Sequence, residues 1–299
     1  MVSSLHFERL TGLINTVTST KNWFSVLLFY FGLRDEVTAV FRNNSSDFTI
    51  TNKSQGEYWC IRDLVAAGVD AERGGDGFWK FKLPRGITLY SKASAAPGRS
   101  IYECFFKRAY EPDQDLTGKT VVDAGAFIAD SSIFFASKGA HVYAFEPDRE
   151  SFDMAVRNIR ANGMDSLISI FPLALGQSTS NLALFLDSQH PDSNTLFPLT
   201  SGRLYDGREV VKTISLVTFM VENKIERINL LKLDCEGCEF DVICEANAQA
   251  LRRTDEIILE YHRAPAPLID LLTSMNFKVK IKRYPTPAFG MIHASHVRM

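Results

Sequence analysis

The chain has 299 residues, a net charge of −2 and a pI near 6.3, with 45% apolar and 23% charged residues. This composition is ordinary for a soluble globular protein, the length accommodates one large domain with an appendage, and the absence of a basic excess argues against nucleic-acid binding. Five cysteines are too few, and odd in number, for a disulfide scaffold, so a reduced cytoplasmic chain is expected.

The most apolar stretch lies near the N-terminus, in the run WFSVLLFYFGL at 23–33. It is shorter than the roughly 20 residues that span a bilayer, so no transmembrane segment is predicted there. A buried helix is the first interpretation. Because Lys21 and Arg34 flank the run, a helix that lies at a membrane surface or binds a partner is the alternative.

Residues 1–115 lack a regular alternation of strands and helices, and we expect them to form a small α+β appendage. A hairpin is predicted in FWKFKLPRGITLYSK, with its turn at Pro84, Arg85 and Gly86. A helix is expected from Arg99 to Tyr110. Further short strands are predicted at 37–42, 47–51 and 57–61.

Strands and helices alternate from residue 116 to residue 299, the predicted main domain. This pattern predicts an α/β fold with a mostly parallel, twisted sheet and helices on both faces. The third strand is expected at 168–175. The last apolar runs, at 277–283 and 291–297, predict a closing antiparallel pair.

A strand, a tight turn and a helix start are predicted in the run TVVDAGAFIAD. The strand ends at Asp123, the backbone turns at Gly125, and Asp130 opens the helix. The free N–H groups at such a helix start bind anionic groups. Glu146 follows Asp123 by 23 residues at the end of the next apolar run, where an acid accepts hydrogen bonds from a ribose. The unit therefore predicts a nucleoside-type cofactor.

Two cofactors fit this unit, a nicotinamide dinucleotide and S-adenosylmethionine. A dinucleotide turn needs G-x-G-x-x-G, but only Gly125 is present and Asp130 would place a negative charge near the pyrophosphate. S-adenosylmethionine has no phosphate, and its ammonium and carboxylate suit an acidic, N–H-rich turn. The charge of Asp130 favours S-adenosylmethionine. The alternative is a turn that only packs the strand against the helix and binds no ligand.

The run LLKLDCEGCEF carries a second acidic motif. Asp234 ends a predicted buried strand and Glu236 follows it, at the sheet edge where α/β proteins bind ligands. Two acids there need a cation or hydrogen-bond donors, although Glu236 as a plain helix cap is an alternative. Cys235 and Cys238 form a C-x-x-C that lacks a second metal-binding half, so we interpret them as small apolar residues.

His262 follows another predicted strand at the same edge of the sheet. Its unperturbed pKa of about 6.5 suits a general base near neutral pH, although a purely structural histidine is equally compatible with the pattern. Asp234 or Glu236 is the alternative base. The polar loop at 187–209, which contains His190, is a candidate lid over the acceptor.

Five motifs, in this order and spacing, resemble those of the FkbM-type methyltransferases. They lie within about residues 100–280 and read DAGAFIADSSIFFASKGAHVYAFEP, ISIFPLALG, ISLVTF, LLKLDCEGCEF and IILEYH. The resemblance implies a Rossmann-like, class I S-adenosylmethionine-dependent methyltransferase. It also implies O-methylation of a hydroxyl on a sugar, a glycolipid or a similar small molecule.

The resemblance assigns site residues by position. His262, Asp234 and Glu236 would face the transferring methyl group and the acceptor. Phe127 and Ala129 depart from the family turn, which resembles GANIGD, because they replace an amide and a glycine. Cofactor-binding roles are implied for Asp123, Gly125, Phe127, Asp130, Ser131, Glu146, Pro147 and Ala174.

Three functions are therefore compared. The leading one is an S-adenosylmethionine-dependent O-methyltransferase that acts on a small-molecule or carbohydrate acceptor without a metal site. The second is a binding protein whose cofactor pocket Phe127 and Ala129 have closed. The third is a nicotinamide-dependent oxidoreductase, against which the missing glycines argue. The sequence leaves the acceptor, the oligomeric state and a peripheral membrane contact open.

Overall fold

The chain folds into two compact units, Met1–Ala109 and Tyr110–Met299. The computed structural model describes residues 2–42, 47–51, 54–75, 77–92, 94, 96–198, 204–283 and 288–297.

The first unit combines four helices with two small antiparallel sheets in the described residues. The hairpin predicted at 78–92 is confirmed, because the strands Phe78–Lys82 and Thr88–Lys92 pair antiparallel around the turn at Pro84–Gly86. The elements are α1 (Val2–Ser19), α2 (Trp23–Tyr30), β1 (Glu36–Ala39), β2 (Phe48–Thr51), α3 (Gln55–Ala66), β3 (Asp70–Arg73), β4 (Phe78–Lys82), β5 (Thr88–Lys92) and α4 (Arg99–Phe105).

The strand predicted at 57–61 is wrong, because these residues lie within helix α3. Tyr58, Ile61 and Val65 are buried at helical spacing, a period that the short apolar window EYWCI does not reveal. Helix α2 is buried on one side only. Val26 and Phe29 are buried, whereas Phe24 is 63% exposed. Among the described helices, none combines the length and apolar character needed to cross a bilayer.

The second unit is built on a seven-stranded sheet of order β14-β15-β13-β12-β6-β7-β8. The five strands from β13 to β8 are parallel, and β15 pairs antiparallel with both β13 and β14. The strands are β6 (Thr120–Ala124), β7 (His141–Phe145), β8 (Ile168–Phe171), β12 (Ile228–Leu233), β13 (Thr254–Tyr261), β14 (Phe277–Arg283) and β15 (Gly290–His296). The predicted Rossmann-like α/β class with an antiparallel closing strand is confirmed.

Helices and a second, three-stranded sheet accompany the main sheet. The strand predicted at 168–175 is divided, because Pro172 lacks an N–H and the strand Ala174–Gly176 leaves the main sheet to pair with the strand Gly207–Ser215. The elements are α5 (Asp130–Ala136), α6 (Arg149–Ala161), β9 (Ala174–Gly176), β10 (Ser180–Leu186), β11 (Gly207–Ser215), α7 (Leu216–Glu222), α8 (Glu239–Val242), α9 (Ala248–Leu251) and α10 (Ala266–Ser274).

The central strands carry continuous apolar runs because helices cover both faces of the sheet. Val122, Leu231 and Ile257 are completely buried on three adjacent strands, and their neighbours form the core of the unit. The carboxyl ends of β6, β7, β12 and β13 meet at one edge of the sheet. That edge carries the acidic residues that the sequence singled out.

Candidate functional site

The turn after β6 lies against the end of β12. A Cβ placed on Gly125 would lie 1.8 Å from the carbonyl oxygen of Asp234, so only glycine fits there. Gly125 has φ +74, and two residues with side chains, Phe127 (φ +48) and Ala129 (φ +63), also adopt left-handed backbone conformations. Asparagine and glycine adopt this conformation most easily. The two departures from the family turn therefore occupy the two positions where side chains are conformationally unfavourable.

A buried ionic network lies beneath this turn. Asp123 is fully buried and its Oδ2 accepts hydrogen bonds from the hydroxyls of Ser131 and Ser132, each at 2.6 Å. Its Oδ1 lies 3.0 Å from the ammonium of Lys232, which also donates to the carbonyl of Gly125 at 2.8 Å. Burial lowers the pKa of Lys232, but the charges of Asp123, Asp234 and Asp130, together with the hydrogen bond to Asp123, raise it above its ordinary value. The network fixes the turn to the neighbouring strand.

Glu146 follows the end of β7 and closes the other side of the turn. Its two carboxylate oxygens accept the backbone N–H groups of Phe127, at 2.8 Å, and of Asp148, at 2.9 Å. Burial raises the pKa of Glu146 to about 8, although both hydrogen bonds act in the opposite direction. The carboxyl group thus lies where a ribose-binding acid is expected, and it also holds the backbone of the turn.

A cavity that opens to solvent lies at the carboxyl edge of the sheet. Asp123, Asp130 and Ser131 are buried behind the turn. The structure brings these predicted site residues to the cavity wall: Gly125, Phe127, Glu146, Pro147, Ala174, Asp234 and Glu236.

The turn after β12 carries Asp234 and Glu236, and a disulfide bond joins Cys235 to Cys238 across it. The interpretation of these cysteines as two separate small apolar residues is therefore corrected. The spacing allows the bond because the left-handed residues Glu236 (φ +53) and Gly237 (φ +114) bring the two Cα atoms to 5.4 Å. Both cysteines line the cavity.

His262 lies directly behind the acidic turn and is almost completely buried. Its Nδ1 is 3.0 Å from Oε1 of the buried Glu239. Its Nε2 is 3.5 Å from Glu236 and 3.6 Å from Glu260. Burial lowers the pKa of His262, but the hydrogen bond and charge of Glu239, together with Glu236 and Asp234, raise it to about 10.

Part of the predicted lid reaches the cavity. Pro191, Asp192 and Asn194 line it, whereas His190 lies beside Asp187 with its Nδ1 3.5 Å from the carboxylate. The loop also packs on the acidic turn, because a Cβ on Gly237 would lie 3.3 Å from the Cβ of Phe197. Residues 199–203 of the predicted loop lie outside the described residues.

Four residues of the site were missed by the sequence analysis. Lys232 is the one lysine in the apolar strand β12, a placement that signals a buried ion pair. Tyr110 donates to Oδ2 of Asp234 at 2.5 Å. Glu239 and Glu260 surround His262. The sequence around Tyr110 does not indicate this hydrogen bond, because 124 residues separate Tyr110 from Asp234.

The wall of the cavity fits S-adenosylmethionine better than a dinucleotide. The carboxyl group of Glu146 lines it and can meet ribose hydroxyls, and the carboxylates of Asp234 and Glu236 can meet cationic groups. The N–H of Phe127 is already taken by Glu146, so this turn does not present that donor to a pyrophosphate. Phe127 lines the cavity, whereas Ala129 is buried and does not line it.

Comparison with known proteins identifies the family of the second unit. The family model described as the methyltransferase FkbM domain matches residues 123–279, just over half of the chain. Methyltransferase sdnD of Sordaria araneosa is 26% identical over 200 residues, which cover 57% of this chain and 77% of the relative. The hexuronic acid methyltransferase AglP of Haloferax volcanii is 26% identical over 164 residues, which cover 54% and 64%. A solved structure of the METTL16 methyltransferase domain overlaps 85% of each chain at a TM-score of 0.44 and 13% identity.

Proposed function

The chain belongs to the FkbM methyltransferase family and uses S-adenosylmethionine, and from this premise we propose that it methylates a hydroxyl group of a sugar or a similar small molecule. The observation that carries the proposal is the pair of carboxylates, Asp234 and Glu236, on the wall of the cofactor cavity. Carboxylates accept hydrogen bonds from hydroxyls, and a sugar presents several. The relative AglP, whose name states that it methylates hexuronic acid, supports this acceptor class.

The turn between β6 and α5 would hold the cofactor. When bound, S-adenosylmethionine supplies a sulfonium methyl group that is open to in-line displacement. Glu146 would accept the ribose hydroxyls, Pro147 and Ala174 would border the adenosine, and Gly125 and Phe127 would shape the methionine end. Three buried residues lie behind the turn: Asp123, Asp130 and Ser131. They would support its backbone instead of contacting the cofactor.

Glu236 is the residue to which we assign removal of the acceptor proton. Its side chain is 19% exposed at the cavity, whereas His262, with a pKa near 10, remains protonated at neutral pH unless another cation occupies the cluster. A protonated histidine cannot accept a proton, but it can hold the carboxylate of Glu236 in place. Asp234, fixed by the hydroxyl of Tyr110, would position the acceptor hydroxyl. Orientation of the reacting oxygen is the main contribution that such a site makes.

Calorimetry with S-adenosylhomocysteine tests cofactor binding, and transfer of a labelled methyl group to a panel of sugars and glycolipids tests the acceptor. We expect Glu236→Gln to lower kcat by about 10²–10⁴-fold, the contribution of a general base, with nearly unchanged S-adenosylhomocysteine affinity. Glu222→Gln is the matched control, because Glu222 is exposed at the end of α7. Full turnover in Glu236→Gln would remove Glu236 from the mechanism, and methylation confined to nitrogen or carbon acceptors would overturn the hydroxyl assignment.

A further inference from the structure

A cluster of metal-ligating side chains lies between the cavity wall and the core. Asp234 ends β12, Glu260 lies in β13, and His262 follows β13, so the parallel strands bring all three to one edge. One ligand atom of each lies within 4.8 Å of the others. That spacing accommodates a single ion at about 2.0–2.6 Å from each atom.

Glu239 determines which nitrogen of His262 carries a proton. Its Oε1 accepts the backbone N–H groups of Cys235, at 3.3 Å, and Gly237, at 3.2 Å, and it faces Nδ1 of His262 at 3.0 Å. A carboxylate held by two N–H donors is an acceptor, so Nδ1 is the nitrogen that donates to it. In the neutral ring the lone pair is then on Nε2.

Nε2 of His262 is a buried polar atom without a hydrogen-bond partner. The side chain is only 3% exposed, and oxygens of Glu236 and Glu260 lie 3.5 and 3.6 Å from Nε2. A lone pair that faces two carboxylate oxygens is repelled by them. A proton on Nε2 or a metal ion bound between these atoms relieves this repulsion.

Two basic side chains lie near the cluster. Lys232 pairs with Asp123 and also interacts with the charge of Asp234. Arg263 donates to the carbonyl of Gly237 at 3.2 Å, and its guanidinium lies 4.3 Å from the ring centre of Phe240. Of the three clustered residues, Asp234 lines the cavity, so an ion bound there would have one side open to it.

We propose that Asp234, Glu260 and His262 bind a divalent transition-metal ion of the Mn²⁺ type at the wall of the cavity. One imidazole and two carboxylates suit such an ion better than Mg²⁺, which prefers oxygen ligands alone. Glu239 supports the ring from behind, as carboxylates support metal-binding histidines in other proteins. The ion's role, which rests on the proposed function, is to hold the acceptor oxygen beside Glu236.

A second cluster of the same composition serves as the matched control. Asp113, Glu256 and His293 also come close together. There, however, Glu256 accepts hydrogen bonds from the N–H of Asp113, at 2.8 Å, the amide of Gln114, at 2.9 Å, and Nε2 of His293. Its carboxylate oxygens are satisfied by this chain's own donors, and Lys280 lies 3.2 Å from Asp113. We expect this cluster to bind no ion.

The test is a titration of the chelator-treated full chain with Mn²⁺ alone, followed by electron paramagnetic resonance and calorimetry. We expect one bound Mn²⁺ per chain. His262→Gln and Glu260→Gln should weaken binding at least about tenfold, and Glu239→Gln by about 10–100-fold, the usual effect of losing such a supporting carboxylate. His293→Gln should bind Mn²⁺ like the wild type.

Two results would overturn the proposal. One is the absence of Mn²⁺ binding at millimolar ion, which would mean that a proton alone neutralises the cluster. The other is binding that survives His262→Gln or is lost in His293→Gln. Circular dichroism checks the fold of each variant, and Asp234→Asn offers a less buried third ligand change. Calorimetry with S-adenosylhomocysteine on the same samples separates a failed metal site from a failed cofactor assignment.

Discussion

Replacing Ala129 with glycine tests whether the backbone of the turn between β6 and α5 is strained. Ala129 is fully buried and has φ +63, whereas the equally buried Ala126, three residues earlier, has an ordinary negative φ. A non-glycine residue in the left-handed region costs about 1–2 kcal/mol. Ala129→Gly removes this cost, and Ala126→Gly has no such cost to remove. Each substitution removes one buried methyl group from the same turn, so the two variants form a matched pair.

The expected magnitudes follow from three contributions. Each substitution loses a buried methyl group, about 0.8 kcal/mol, and adds the conformational freedom of glycine in the unfolded chain, about 0.5–1 kcal/mol. Ala126→Gly should therefore lower the free energy of unfolding by about 1.5 kcal/mol. Relief of the left-handed strain offsets this loss at the other position, so Ala129→Gly should leave the free energy of unfolding close to that of the wild type.

Urea unfolding followed by far-UV circular dichroism measures the difference. Tryptophan fluorescence does not report on this turn, because Trp23, Trp59 and Trp79 all lie in the first unit. Hydrogen exchange in peptides from β6 and α5 locates the change in the second unit. If Ala129→Gly destabilises the chain as much as Ala126→Gly, the left-handed backbone at Ala129 carries no strain and this reasoning fails.

Two further predictions concern the charges around the turn. Glu146, whose pKa burial raises from 4.5 to about 8, binds more protons in the folded than in the unfolded chain between those pH values. Its contribution to stability therefore falls as pH rises through that window, and urea titrations at several pH values should show Glu146→Gln flattening this slope. Lys232→Met should cost about 3–5 kcal/mol because it leaves Asp123 buried without its partner. Most of this loss should return in the Asp123→Asn, Lys232→Met double variant, and unchanged stability in the single variant would refute the ion pair.

The elements that the sequence predicted well are those with a strong local pattern. The strand that ends near Asp123 and the helix that opens at Asp130 follow from neighbouring residues, as does the antiparallel closing pair. The position of Glu146 beside the turn follows from the length of one βαβ unit. The misassigned strand at 57–61 shows the limit of a short apolar window, because the helical spacing of the buried residues in α3 is visible only over the whole of Gln55–Ala66.

The surroundings of His262 could not be predicted in the same way. Its partner Glu239 lies 23 residues earlier, and the contact arises because β12 and β13 are parallel neighbours whose carboxyl ends meet. The pattern around His262 suggested a general base with an ordinary pKa. Carboxylates packed against the ring raise the pKa of His262, so its protonation state depends on tertiary contacts and not on the residue type alone.

The unusual turn is held from several sides, which explains how Phe127 and Ala129 keep conformations that asparagine and glycine adopt more easily. Glu146 binds the N–H of Phe127, and the buried amide of Asn158 donates to the carbonyl of Ile128 at 2.9 Å. A strained backbone persists only where such contacts fix it on both sides. The contact from Glu146 also places its carboxyl group at the cavity, so the interaction that holds the unfavourable φ at Phe127 also positions the acid that we propose binds the ribose. Selection for cofactor binding would then retain the strain.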